Sequence, residues 1–307
     1  MIKKLLQQSF YAFLYGNSFI ALAGVLLCIE TNLQHQLPLN YWLIYFFIFC
    51  CINFYYTYLY NNNLPKNYIN KQIQWYIINK KIIIVYQIIL FIFICICLVY
   101  FLLKFHATIF QFSLKKWGYI LLFPIIAIMY YFNVLSSFGI KNLRQYGWLK
   151  PFVIAYVWSG LVGIYPFVFL ILEHQINYLS NFHILDSYWL NNFIYFMIIA
   201  MLFDIKDVAY DHKKNIKTYP VLLGVKFTIH YIIIPICIVA TSLILIASVK
   251  HHFTFIRILV NIVPYLLLIF ASISLIKHKK NLYYLFFIDG LLFIKSITGI
   301  LIVVLIK

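Results

Sequence analysis

Long apolar runs, each about the length that crosses a bilayer, occupy nearly the whole chain. A hydrocarbon core of about 30 Å is spanned by about 20 residues of α-helix. Nine runs of that length can be found, separated by short polar stretches. They cover approximately residues 10–29, 41–60, 82–103, 117–138, 151–172, 188–208, 227–249, 253–276 and 282–306. The pattern predicts an all-α polytopic membrane protein of about nine transmembrane helices, forming one domain over residues 1–307.

Composition and cysteine placement agree with a membrane protein. The chain is 65% hydrophobic and only 10% charged, whereas soluble domains carry roughly 25% charged residues. All six cysteines fall inside apolar runs, and the Cys95-x-Cys97 pair lacks the spacing and the histidines of a zinc site. We interpret them as buried free thiols. No small-residue cleavage site follows Lys3 and Lys4, so we expect the first helix to remain as an anchor.

The basic residues indicate an orientation. Lys and Arg number 24 against 7 acids, a net charge of +17, and they lie almost wholly between the apolar runs, which argues against a nucleic-acid-binding face. Such loops also face anionic membrane lipids. One set of alternate loops is rich in Lys and Arg, and the other holds only Lys104, Lys115, Lys116, Lys250 and Lys307. The positive-inside rule then predicts a cytoplasmic N-terminus and a C-terminus on the opposite side of a bacterial inner (cell) membrane.

Three of the seven acids lie within eight residues, at the predicted cytoplasmic end of the sixth run. Asp204, Asp207 and Asp211 have i, i+3 and i+7 spacing, which places them within about 60° on one helical face. Such a face needs a compensating cation, and Mg²⁺ binds one or two carboxylates together with substrate phosphate oxygens. The lysines of residues 213–217 could neutralise a diphosphate directly. The alternative is a charged helix end whose acids pair with local lysines.

A longer string carries a resemblance to a known family. Residues 203–211 read FDIKDVAYD and residues 217–224 read KTYPVLLG. This resembles the second Asp-rich motif of the UbiA superfamily of intramembrane prenyltransferases, D-x-x-D-x-x-x-D followed by K-T-x-P-x-x-x-G. The resemblance implies a UbiA-like bundle with a cytoplasm-facing cavity. It also implies Mg²⁺-dependent transfer of a prenyl group from a polyprenyl diphosphate to a lipid-phase or aromatic acceptor.

The same resemblance implies roles for individual residues. Asp204, Asp207 and Asp211 would be the metal-binding and catalytic carboxylates, and Lys217 would bind the diphosphate. After the fourth run, Lys141 and Arg144 belong to a short basic stretch that resembles the diphosphate-contacting loop of the family. The alternative for these two residues is topogenic charge without a ligand.

The first Asp-rich motif of the family is missing. It should close the second helix, where this chain has three asparagines in a row, and the first of them, Asn61, could replace the family's Asn as a diphosphate contact. No acid occurs between Glu30 and Glu173. A second hypothesis is therefore a UbiA-like protein that binds a lipid diphosphate or a partner without turnover.

A third hypothesis, a transporter, rests on prolines inside helices and on an intramembrane acid, Asp289. Lys295 lies six residues further along, a poor spacing for a pair on one helix. We therefore expect Asp289 to find its partner on another helix.

Overall fold

The computed structural model describes residues 2–62, 71–132, 142–174, 187–250 and 252–305, and these are largely helical and contain no strand. The predicted all-α class is confirmed. A 3₁₀ turn covers Leu143–Gln145, and π-helical turns cover Thr228–Ile233 and Tyr284–Ile288. The α-helices are α1 (Ile2–Tyr15), α2 (Ser18–Gln34), α3 (Trp42–Asn62), α4 (Lys71–Ile78), α5 (Lys80–Phe110), α6 (Leu114–Tyr131), α7 (Lys150–Gly163), α8 (Tyr165–His174), α9 (Ser187–Lys213), α10 (Tyr219–Leu223), α11 (Val225–Phe227), α12 (Ile234–Lys250), α13 (Phe255–Ser274), α14 (Asn281–Tyr283) and α15 (Asp289–Leu305).

Fewer segments than predicted have the length and composition of a membrane span. Among the described residues six helical segments qualify, and a seventh if one bent pair is taken as a single span. The six are Trp42–Asn61, Lys80–Phe110, Lys150–His174, Val225–Val249, Phe255–Ser274 and Asn281–Leu305. Each overlaps one predicted run, so their positions agree with the sequence. The count of nine and the UbiA-like bundle are not confirmed.

The first predicted run is not one straight helix. Helices α1 and α2 meet at an angle of 62°. Asn17, between them, has a left-handed backbone (φ 61°), and its side chain donates a hydrogen bond to the Tyr76 hydroxyl at 2.9 Å. Asparagine tolerates this conformation better than most residues. A polar residue inside an apolar run therefore marks a bend that hydropathy did not indicate.

Helix α9 lies in the protein core and covers the predicted sixth run, although it is not among the six apolar spans. Its middle is almost fully buried at Tyr195, Ile198, Met201 and Leu202. It packs chiefly against α7 and also against α12. Because protein rather than lipid surrounds it, α9 tolerates polar residues at both ends, including the Asp cluster at its C-terminal end.

Small residues permit the closest helix contacts. A Cβ on Gly160 of α7 would lie 2.1 Å from Phe123 Cδ1 of α6, and one on Gly299 of α15 would lie 2.2 Å from Glu30 Oε1 of α2. Close approach at small residues is the usual way for membrane helices to pack. The Gly299 contact makes room for a buried ion pair, in which Lys295 Nζ lies 3.1 Å from both Glu30 carboxylate oxygens. This pair ties α15 to α2.

Candidate functional site

A cavity of about 300 Å³ lies alongside the C-terminal half of α9 and the first half of α7. Its lining is mostly aliphatic or aromatic, and its charged side chains are those of Arg144, Lys150, Lys206, Asp207 and Asp289. The described residues that line it are Asn17, Ile20, Tyr55, Tyr56, Leu59, Tyr60, Gln72, Ile73, Ala127, Tyr130, Tyr131, Arg144, Lys150, Val153, Ile154, Val157, Trp158, Phe196, Ile199, Ala200, Phe203, Lys206, Asp207, Tyr210, Leu285, Asp289 and Leu292.

Polarity in this cavity changes along the helix axes. On α9 the lining runs from Phe196 to Tyr210, and on α7 it runs from Lys150 to Trp158. The polar residues occupy the end of α9 and the start of α7, whereas the residues further inside are aliphatic or aromatic. At 1.5 Å per residue the α9 lining spans about 20 Å. The cavity therefore suits an amphiphile with a polar head and an apolar tail.

Two of the three clustered carboxylates are held by one lysine. Lys150 Nζ lies 2.5 Å from Asp204 Oδ1 and 3.5 Å from Asp211 Oδ2. The three side chains are 8%, 0% and 1% exposed, respectively. Asp204 and Asp211 do not line the cavity, whereas Lys150 does. Breaking a buried pair of this kind costs about 3–5 kcal/mol, because it leaves a charge uncompensated.

The third carboxylate, Asp207, points in a different direction because of its position around the helix axis. Positions i and i+7 are about 20° apart on a helix, whereas i+3 is about 60° away from i. Asp204 and Asp211 thus share a direction toward Lys150, and Asp207 lines the cavity with 35% of its side chain exposed. Burial raises the pKa of Asp211 above its usual range, and the neighbouring Lys150 ammonium partly offsets this.

Lys150 is the most important residue that sequence reasoning missed. It opens α7, directly before Pro151, which suits the first turn of a helix. A cation at a helix N-terminus is opposed by the helix dipole, so this position needs compensation from acids. This unfavourable position of a lysine at a helix N-terminus was the sequence feature that could have indicated acidic partners for Lys150. The identity of its partners, on a helix about sixty residues away, could not be read from the sequence.

Two further cations line the polar end. Arg144, predicted as a phosphate ligand, donates a hydrogen bond to the Tyr131 hydroxyl, and its guanidinium lies 4.8 Å from the centre of that ring. Lys206 Nζ lies 3.8 Å from Asp207 Oδ1 and 4.9 Å from the Phe203 ring centre. Together with Lys150 they give this end three positive charges from three different segments.

The cavity wall contains a second acid, Asp289, which was not included among the predicted site residues. It is 5% exposed, and its Oδ1 atom has no hydrogen-bond partner within the described part of the chain. Asp289 does not pair with Lys295, because Lys295 binds Glu30. The six-residue spacing of Asp289 and Lys295 predicted that they would not pair. Tyr56 and Trp158 line the same wall, joined by a 2.9 Å hydrogen bond from Trp158 Nε1 to the Tyr56 hydroxyl.

Two further predicted ligands, Lys217 and Asn61, are not part of the described cavity lining. Lys217 is exposed and is not among the cavity-lining residues just described. Its backbone packs against Gly147, where a Cβ would lie 2.4 Å from the Lys217 carbonyl carbon. Asn61 is also outside this lining and donates a 3.4 Å hydrogen bond to Gln87 Oε1. Lys141 lies outside the described residues.

The donor set fits a divalent ion at one carboxylate only. Within the described ranges no three His, Cys, Asp or Glu side chains are grouped closely enough to hold a metal. Asp207 lies beyond hydrogen-bonding distance of Lys206, so its oxygens can accept a ligand. Asp204 and Asp211 already share the Lys150 ammonium. A single Mg²⁺ bound at Asp207, with water and phosphate oxygens as its other ligands, would have the coordination that this ion prefers in proteins.

No family model, no curated protein and no solved structure matches this chain.

Proposed function

We propose that this chain is an intramembrane prenyltransferase of the UbiA type, which binds a prenyl diphosphate in the cavity that α7 and α9 line together with α3, α6 and α15. The proposal is carried by one observation, a single cavity with three cations at one end and an aliphatic and aromatic wall beyond them. The motif at residues 203–224 supports the same substrate class. A diphosphate on an isoprenoid chain has the matching distribution of charge and apolar surface.

Each end of the cavity has a task in this proposal. Arg144, Lys150 and Lys206 bind the phosphate oxygens, and charge-assisted hydrogen bonds of this kind are roughly twice as strong as neutral ones. The apolar part, including Ile154 and Phe196, takes the isoprenoid chain. Asp207 would hold Mg²⁺, whose positive charge would offset that of the departing diphosphate.

Prenyl transfer breaks the allylic carbon–oxygen bond, and its electron pair leaves with the diphosphate. The allylic carbon becomes electron-deficient, and the faces of Tyr56 and Trp158 stabilise it by cation–π attraction. The acceptor then supplies the electron pair of the new bond and loses a proton. Asp289 is the cavity carboxylate to which we assign that proton, since its Oδ1 atom accepts no hydrogen bond from any described residue. The acceptor is a hydrophobic or aromatic nucleophile from the lipid phase.

The proposal is tested by diphosphate release from radiolabelled geranylgeranyl diphosphate by the purified full chain, with Mg²⁺ and a panel of aromatic acceptors. We expect Asp207→Asn to lower turnover on the order of a hundredfold, because a charge that stabilises the leaving group is lost. Glu173→Gln is the matched control, since it removes a carboxylate that is not part of the cavity lining. No release under any of these conditions would contradict the proposed activity.

A second function, binding without turnover, is favoured by the pairing of Asp204 and Asp211 with Lys150 and by the lack of acids in residues 31–172. These features leave few carboxylates for metal ions. Saturable binding of geranylgeranyl diphosphate with no diphosphate release would support this function in place of transfer.

A further inference from the structure

Lys150 occupies an unusual position between the cavity and two buried carboxylates. The Lys150 Nζ atom contacts Asp204 and Asp211. Of these three residues, only Lys150 lines the cavity. An ammonium group has three N–H donors. Two of them suffice for the two carboxylates, which leaves one for a ligand in the cavity.

The two carboxylates are incompletely satisfied by this lysine. Asp204 Oδ2 and Asp211 Oδ1 are buried and have no hydrogen-bond partner within the described ranges of the chain. Two anions therefore share one cation. A pair of neighbouring carboxylates with free oxygens is also what a hard divalent ion requires, and the ammonium lies where such an ion would bridge them.

We propose that Lys150 is a built-in counter-cation that replaces a bridging divalent ion between Asp204 and Asp211, so that the cavity binds a diphosphate head without added metal. This inference rests on the proposed function, because it assumes that a diphosphate is the ligand. In this arrangement, binding of the diphosphate and its chemical reaction depend on different groups. The head is held by Lys150, Arg144 and Lys206, and only turnover depends on Mg²⁺ at Asp207.

A purely structural role is the competing explanation, since the pair also fastens α7 to α9. The two roles differ in one consequence. If Lys150 replaces a metal, its removal should free Asp204 and Asp211 to take one. Lys150→Met keeps the length of the side chain and removes its charge, so this variant should acquire a dependence on Mg²⁺ that the parent lacks.

The experiment is equilibrium binding of radiolabelled geranylgeranyl diphosphate to the purified full chain, in excess EDTA and in excess Mg²⁺. We expect the parent affinity to differ by no more than about threefold between the two conditions. Lys150→Met should lose affinity in EDTA on the order of tenfold to a hundredfold, the usual worth of a hydrogen bond to a charged group. Mg²⁺ should restore most of that affinity.

Two further variants serve as controls. Lys150→Met/Asp204→Asn/Asp211→Asn removes the carboxylates as well, so Mg²⁺ should not restore its binding. Lys226→Met removes an exposed lysine outside the cavity and should bind as the parent does. Thermal unfolding without ligand gives an independent readout, because Mg²⁺ should raise the Tm of Lys150→Met by more than it raises the Tm of the parent, which offers the ion only Asp207.

The outcomes separate this inference from the proposed function. If the parent binds the diphosphate only with Mg²⁺, Lys150 does not replace a metal ion, and the inference is wrong. The proposed prenyl transfer is not contradicted by that result. Lys150→Met that binds in EDTA as tightly as the parent would assign Lys150 a structural role alone, and that too overturns the inference. Failure of the folded parent to bind the diphosphate in either condition would overturn both.

Discussion

At the scale of single residues, the site depends on which way each charged side chain points. Asp204, Asp207 and Asp211 look equivalent in the sequence, yet helical phase divides them into a buried pair and one cavity-facing carboxylate. The same holds for the cations, since Lys150 and Lys206 line the cavity whereas Lys217 lies outside its described lining. Charge alone therefore does not identify a ligand.

Asp289 gives a prediction at this scale. Asp289→Asn keeps the shape of the side chain and removes its ability to accept a proton. We expect turnover with an aromatic acceptor to fall between about a hundredfold and ten-thousandfold, the usual range for a lost general base. Affinity for the prenyl diphosphate should remain within a few-fold of the parent, measured by equilibrium binding. Equal turnover in the variant and the parent would remove Asp289 from the mechanism.

Gly160 gives a second prediction, about packing. Gly160→Ala would place a methyl group 2.1 Å from Phe123, and overpacking of this kind costs about 1–3 kcal/mol. The free energy of unfolding in mild detergent should fall accordingly. Gly118→Ala on α6 is the matched control, because a Cβ there meets nothing within 4 Å. Equal loss in both variants would mean that the α6–α7 contact is looser than described.

At the scale of helices, two buried ionic contacts among the described residues join the bundle at different places. Lys150 joins α7 to α9 beside the cavity, and Lys295 joins α15 to α2 through Glu30. Buried ion pairs contribute little net stability compared with apolar replacements, but removal of one partner is costly. Each pair thus favours one arrangement of its two helices.

The Glu30–Lys295 pair leads to a third prediction. Lys295→Met should lower the free energy of unfolding by about 3–5 kcal/mol, because Glu30 is left charged and buried. The double variant Glu30→Gln/Lys295→Met should recover much of that loss. Chemical denaturation of both variants measures the difference. If the single and double variants are equally unstable, the two side chains do not act as a pair.

At the scale of the whole molecule, the sequence predicted the class of fold better than the number of spans. Length and apolar composition predicted the positions of α3, α5, α7–α8, α12 and α13, because these depend on local composition. The bend at Asn17 coincides with a contact to Tyr76 of α4, and the burial of α9 depends on its neighbours. Neither is a local property, so hydropathy could not supply them.

The candidate site was predictable to a similar extent. Spacing predicted one shared face for the Asp cluster, but only Asp204 and Asp211 share a direction, whereas Asp207 lines the cavity. The resemblance to the basic loop of the UbiA family singled out Arg144, which does line the cavity. Lys150 and Asp289 could not be assigned from spacing, because their surroundings come from helices distant in the sequence. Tertiary packing brings α15, α7 and α9 to the same cavity.

Orientation in the membrane is a fourth prediction. The loop charges place the C-terminal end of α9 in the cytoplasm and the end of α5 on the opposite side. Lys213→Cys and Gln111→Cys, two exposed positions, should react with a membrane-impermeant maleimide from the inside and the outside, respectively. The parent chain provides the background from its six native thiols. Reversed labelling would place the cavity mouth on the outer face.

The central claim, that one amphipathic cavity holds a prenyl diphosphate, is tested most directly by photoaffinity labelling. A geranylgeranyl diphosphate carrying a photoreactive group at the end of its tail would be irradiated with the purified chain, and the labelled residues identified by mass spectrometry. The account predicts labelling between Ile154 and Trp158 of α7 and between Phe196 and Ala200 of α9, abolished by excess unlabelled geranylgeranyl diphosphate. Labelling confined to the lipid-exposed face of α5, and unaffected by that competitor, would contradict it.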